Sequence, residues 1–254
     1  MVSDEKRREG LYRGDLFVYS PTTGTRALCA LARELAEEAF APHHPTVAQE
    51  HMPVEQYVSI LAEPKPKFIH HPQSKKHIQR ILEDFGCDLD GTYFDVPRLR
   101  TMTHSGYLES GLGLVFPAHR DTWYGPPSCQ LVWWLPVYEI EANNGMAFHP
   151  HYWDTPLKNS SSDFNYQQWV DQRGLAKLQI TKETRELSKP LEPMECDAQF
   201  RIVTQPGGVT IFSGAQMHST AHNITNRTRL SIDFRTIHLG DVLAGRSAPN
   251  IDDA

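Results

Sequence analysis

His119 and Asp121 stand two residues apart in the segment PAHRDTWYGP, residues 117–126. On a strand, residues i and i+2 point to the same side, so an imidazole and a carboxylate at this spacing can reach one metal ion. The tripeptide alone carries little weight: with the chain's 13 His, roughly 0.8 His-x-Asp triplets arise by chance. A second segment is more specific. In QPGGVTIFSGAQMHSTAHNITNRTR, residues 205–229, Asn223 follows His218 by five positions and Arg229 follows it by eleven. Chance supplies that three-residue spacing only about 0.02 times in a chain of this size. Two other chemistries fail on the same residues. His119-Arg120-Asp121 lacks the Asn that a kinase catalytic loop places five residues later, and the Asp84-Phe85-Gly86 triplet lies upstream of it, in the wrong order. His218 and His222 have the helical i, i+4 spacing of a zinc pair, but no Glu follows His218, and Gly214 with its β-branched neighbours disfavours a helix.

Elements must hold these residues. Residues 26–41 place Leu28, Leu31, Ala32, Leu35 and Ala39 on one helical stripe ended by Pro42. Further helices are expected over 53–62 and 73–85, the latter turning Ile78, Ile81, Leu82 and Phe85 inward, with Pro64 and Pro66 breaking the chain between them. From about residue 92 the texture becomes one of short strands, expected over 93–103, 112–118, 129–137, 145–149, 200–204, 208–212 and 228–237. A polar, aromatic-containing excursion over 152–199 interrupts them, as a functional lid or a disordered segment does. The pattern predicts a mainly β, α+β architecture: one domain over 1–254, with a mixed helical part at 1–91, a double-sheet β core at 92–240 and a tail at 241–254.

Composition limits the function classes. The net charge of −6 argues against a nucleic-acid or anionic-membrane partner. No run of about 18 apolar residues is present to span a membrane. The charged N-terminus has no apolar signal region, and Cys29, Cys87, Cys129 and Cys196 form no CxxC pair. A cytoplasmic location with reduced thiols is the expectation. A small-molecule substrate fits this composition; oligomeric state is not legible.

The stretches HRDTWYGPP, the Asn144-Gly145 turn before a strand, QPGGVTIFSGAQMH and HSTAHNITNRTRLS resemble the iron(II)- and 2-oxoglutarate-dependent oxygenases of the phytanoyl-CoA dioxygenase-like family. The likeness covers roughly residues 92–240. It implies a double-stranded β-helix, a jelly-roll or cupin-like sandwich with the metal at its mouth. It further implies Fe(II) as metal, 2-oxoglutarate as co-substrate and O2 as oxidant. On it, His119, Asp121 and His218 become a facial 2-His-1-carboxylate triad that leaves open coordination positions. Arg229 becomes the bidentate partner of the 2-oxoglutarate C5 carboxylate, with Ser231 adding a hydroxyl from the same strand face. Halogenating relatives replace the carboxylate ligand by a small residue, so Asp121 points to hydroxylation of an unactivated C–H bond, with desaturation, epoxidation or ring formation as alternatives. Where family members often carry Pro-Gly-Ser-His after Asn-Gly, this chain has Met146-Ala147-Phe148-His149-Pro150-His151. A non-catalytic jelly-roll sensor and a cupin without 2-oxoglutarate are the rivals; the Asn223/Arg229/Ser231 run speaks against the second.

Residues 123–153 hold eight of the chain's 25 aromatic side chains. Trp123 and Tyr124, directly after the metal segment, are candidates for a substrate wall. Gln130 is a candidate for the C1 carboxylate of 2-oxoglutarate. His149 and His151 are candidates for the substrate rim, and Arg98 and Arg235 for an anionic substrate group.

Overall fold

The computed structural model describes residues 2–195 and 199–253; Cys196 lies outside them. Helices α1 (Asp4–Leu11), α2 (Thr23–Phe40), α3 (Val54–Leu61), α4 (Pro64–His70) and α5 (Pro72–Asp84) dominate the first third, with strand β1 (Phe17–Tyr19) between α1 and α2. The strands that follow are β2 (Thr92–Phe94), β3 (Arg98–Met102), β4 (Leu131–Pro136), β5 (Met146–Phe148), β6 (Phe200–Ile202), β7 (Val209–Ser213), β8 (His218–Thr220) and β9 (Arg229–His238). Short helices α6 (Tyr166–Asp171) and α7 (Leu239–Ala244) lie in the excursion and after β9.

The larger sheet runs β1-β7-β4-β9-β2, with β3 also paired to β9; the smaller runs β6-β5-β8, and all pairings are antiparallel. This is the two-sheet sandwich of a jelly roll. Alternation along β4 and β9 decides what each face does. Leu131, Trp133, Leu135, Leu230, Ile232 and Phe234 join Leu28, Ala32, Ile78 and Ile81 of the helices in the main core. Val132 and Trp134 turn the other way, into the space between the sheets, with Phe212, Met146 and Phe148. The opposite face of β9 carries Arg229, Ser231, Asp233 and Arg235 instead of apolar side chains, all nearly buried. A polar stripe on an inward face is the fold's first sign of a site.

The helical periodicity over 26–41 and 73–85 matches α2 and α5: Leu28, Ala32, Ile78, Ile81, Leu82 and Phe85 are at most 1% exposed. Two expectations are overturned. Residues 112–118 form no strand but a 3-10 turn at Gly111–Gly113 and an irregular approach to the metal segment. Pro64 and Pro66 do not break the chain; they open α4, because proline is tolerated in a first helical turn, where the amide N–H has no intrahelical partner. Among the described residues no helix is long and apolar enough to cross a membrane.

Candidate metal centre

The metal segment and His218, distant in sequence, meet because their backbones pair. The His119 amide donates to the His218 carbonyl (2.9 Å) and the His218 amide to the His119 carbonyl (3.0 Å), an isolated antiparallel bridge at the start of β8. Asp121 opens a single 3-10 turn, Asp121–Tyr124. Gly214, just past β7, lets this turn come close: a Cβ there would stand 3.4 Å from Asp121 Cβ and 3.3 Å from the Gln130 carbonyl. Its carbonyl accepts from the Thr122 amide (3.3 Å).

One ligand atom each from His119, Asp121 and His218 lies within 4.8 Å of the others, and all three residues are buried. Asp121 Oδ1 is 3.4 Å from His119 Nε2 and 3.8 Å from His218 Nε2. Backbone carbonyls fix the imidazole tautomers. His119 Nδ1 donates to Pro117 O (2.7 Å) and His218 Nδ1 to Gln216 O (2.9 Å), and a carbonyl can only accept. Each Nε2 is therefore left as the lone-pair donor a metal requires. Burial, reinforced by His119, pushes the His218 imidazole down to about 3, keeping it neutral. Burial would raise the Asp121 carboxyl, but Arg235, His119 and His218 outweigh it and hold it well below the usual range. Two imidazole Nε2 atoms and one carboxylate are a donor set that fits a divalent first-row metal such as iron(II).

Arg229 lies on the same inward face. Its Nη1 donates to the carbonyls of Asn144 (2.9 Å) and Gly145 (3.2 Å), and its guanidinium sits over the Trp134 ring at 5.5 Å. The Asn144-Gly145 turn thus has a physical role: its carbonyls hold one corner of the fork. Among the described residues Arg229 Nε has no partner although buried, and neither has Ser231 Oγ two residues on. Arg229 forms no ion pair among the described residues; burial lowers its pKa to about 10. An unpaired buried cation beside an unpaired buried hydroxyl fits the carboxylate of a small anion.

The remaining candidates fall in different places. Tyr124 packs its ring on His119 (centroids 5.5 Å) and meets Phe164 and Trp169 of the excursion. Trp123 points away, donating to Asp252 (2.7 Å) within a cluster with Tyr152 and Met217. Gln130 contributes backbone bonds to Pro127 and Gly214. His149 is buried, its Nε2 3.0 Å from Ser219 Oγ, whereas His151 is exposed on the turn Pro150–Trp153. Arg98 pairs with Asp95 (2.6 Å), and Arg235 with Asp121 and Asp233. Asn223 holds a turn, with bonds to Met102, Thr225 and Arg227, so its position in the spacing pattern reflects loop architecture.

Three residues escape the sequence reasoning. Lys65 of α4 donates to Leu112 O (2.6 Å) and forms no ion pair among the described residues; burial, with Arg100 nearby, lowers its ammonium to about 7. Arg120, between two ligands, turns outward to Asp252 (2.6 Å) and to the carbonyls of Ala215 and Tyr152, clamping the metal segment from behind. Asp252 is the third. No local signal marks them, because each acquires its role through a contact more than 45 residues away.

A buried His-Asp-His triad inside a two-sheet antiparallel sandwich defines the class of non-haem iron(II)- and 2-oxoglutarate-dependent oxygenases. The chain belongs to the phytanoyl-CoA dioxygenase (PhyH) family, whose profile matches residues 17–231 and so includes most of the helices expected to lie outside the resemblance. Among solved structures it resembles EvdO2 from Micromonospora carbonacea var. aurantiaca, alone and in complex with 2-oxoglutarate, each at 14% identity and a TM-score of 0.53, covering 94% of this chain and 92% of that one. It also resembles the non-heme monooxygenase ThoJ at 13% identity and a TM-score of 0.48, covering 91% and 76%. No curated protein matches it significantly.

Proposed function

We propose that this protein hydroxylates an unactivated C–H bond of a small organic molecule. The reaction consumes O2 and converts 2-oxoglutarate to succinate and carbon dioxide while R–H becomes R–OH. The observations that carry this reading are the buried triad and, on the inward face of β9, an Arg229 Nε and a Ser231 Oγ without a partner among the described residues. His119 and His218 Nε2 and Asp121 Oδ1 would hold the metal, which supplies the activation of O2 when bound. Arg229 and Ser231 would receive the C5 carboxylate of 2-oxoglutarate, the guanidinium through its Nε edge and the hydroxyl beside it. Lys65, its ammonium lowered to about 7, lies near Arg100 and Asp233, the two charged neighbours of Arg229. Tyr124, Phe164 and Trp169 form an aromatic wall from His119 into the excursion, suited to excluding water and orienting an apolar substrate. The carboxylate ligand at position 121 favours oxygen transfer over halogenation.

The test is anaerobic addition of iron(II) and then 2-oxoglutarate to the purified protein. A weak visible charge-transfer band should develop, and admission of air should produce succinate even without substrate. Absence of both would rule the reading out. Substrate consumption would then be followed by mass spectrometry, where a gain of one oxygen marks hydroxylation and a loss of two hydrogens marks desaturation.

A further inference from the structure

Asp121 uses its two oxygens differently. Oδ1 faces the two imidazole Nε2 atoms, while Oδ2 accepts from both Arg235 Nε (3.1 Å) and Arg235 Nη2 (3.0 Å). The third nitrogen, Arg235 Nη1, donates to Asp233, and Asp233 in turn accepts from Arg100 Nε (2.6 Å). Arg235 and Asp233 lie two apart on the inward face of β9, and Arg100 comes from the neighbouring strand β3. The backbone is pinned as well, because the Arg235 amide donates to Asp95 Oδ1 (2.7 Å). Charges therefore alternate along a row that runs from half-buried Arg100 through Asp233 and Arg235 to buried Asp121.

Stability alone does not account for such a row. Burying ion pairs gains little over packing apolar groups of the same size, because desolvation consumes the Coulomb energy. The neighbouring strand β4 fills equivalent inward positions with Val132 and Trp134. What the row achieves is geometric: a carboxylate held at one oxygen by two parallel N–H groups has its rotation fixed.

We infer that Arg235 is a positioning residue that holds Asp121 as a one-oxygen metal ligand, with Asp233 and Arg100 keeping Arg235 in place. A carboxylate free to swing can bind a metal through both oxygens and occupy a further coordination position. Held at Oδ2, Asp121 would offer a metal Oδ1 alone and would not take up a second position on it. The inference rests on the metal-dependent reading proposed above.

Cobalt(II) serves as a spectroscopic probe for the test, with 2-oxoglutarate as titrant, on the wild-type chain and on Arg235→Met, Arg235→Lys and Asp233→Asn. In Arg235→Met the cobalt absorption band should change shape and intensity, and 2-oxoglutarate should bind the cobalt protein at least about tenfold more weakly, the scale typical of groups that orient a ligand. Arg235→Lys restores one charged donor and should recover most of the loss. Asp233→Asn, which does not touch Asp121, should shift both readouts the same way by a smaller factor. A purely structural role would lower thermal stability in the variants yet leave the cobalt band of the folded protein unchanged. A wild-type band and wild-type 2-oxoglutarate affinity in folded Arg235→Met overturn the inference while leaving the function standing. Should that variant not fold, the same null result in Asp233→Asn overturns it. Failure of the wild-type chain to take up cobalt removes the metal reading and this inference together.

Discussion

Replacing Arg229 by alanine tests the co-substrate site most directly. The side chain spends Nη1 on the Asn144 and Gly145 carbonyls and leaves Nε unpartnered, so the Nε edge is the part available to a carboxylate. Hydrogen bonds to charged partners contribute about 1.5–3 kcal/mol each, and two parallel ones taken at about 1.5–2 kcal/mol each place the expected loss near 3–4 kcal/mol. At about 1.4 kcal/mol per decade this raises the 2-oxoglutarate requirement roughly 100- to 1000-fold. Arg229→Lys keeps the charge but not the fork, and should fall about one decade short of wild type. The assay is uncoupled succinate formation at varied 2-oxoglutarate, beside thermal denaturation, since the variant also strands two carbonyl acceptors. An apparent KM within threefold of wild type, in folded Arg229→Ala, would refute the assignment of Arg229 to the carboxylate.

Other expectations follow from single contacts. Asp121→Ala should lose iron more severely than the roughly 10–100-fold seen for residues that merely support ligands, as measured by metal content after desalting. Phe234→Ala, which empties a fully buried position stacked on Trp133 (centroids 5.5 Å), should cost about 3–5 kcal/mol in urea unfolding. Asp241, 2% exposed, accepts from Arg8 (2.7 Å), Tyr12 (2.9 Å) and Arg246 (2.8 Å), tying α7 to α1; Asp241→Ala should destabilise the fold at pH 7 by about 3 kcal/mol. Burial would raise the Asp241 carboxyl, but Arg8 and Tyr12 hold it below its ordinary value. Its contribution is therefore complete above the unfolded value of about 3.9 and is lost as pH falls through the folded one, so wild type and variant should converge in acid. Equal acid sensitivity of the two proteins would contradict that linkage.

The triad was legible before the structure because its chemistry is local in two places. His119 and Asp121 share a segment, and His218 and Arg229 sit at fixed offsets around a Gly-Gly turn and a short apolar strand. The amphipathic helices α2 and α5 were legible for the same reason, since one apolar stripe suffices to announce a packed face. The sandwich itself followed from short strands separated by turn residues. Strand alternation put Arg229, Ser231, Asp233 and Arg235 on one face, but not which face looks inward.

Other features depended on the fold. The Trp133–Trp134 pair shows why: adjacent residues on β4 point to opposite sides, and only packing decides that Trp133 enters the helix-backed core while Trp134 lies under Arg229. Lys65 comes near Arg100 and Asp233 because α4 packs beside β3, although its own segment reads as a proline-rich break. Arg235, a candidate for an anionic substrate, instead meets Asp121, 114 residues away. A sequence determines which side chains share a face, since backbone periodicity is local. Which charges meet is set by the closing of the fold, and in this protein that closing brings Arg235 of the β9 stripe onto Asp121 of the distant metal segment.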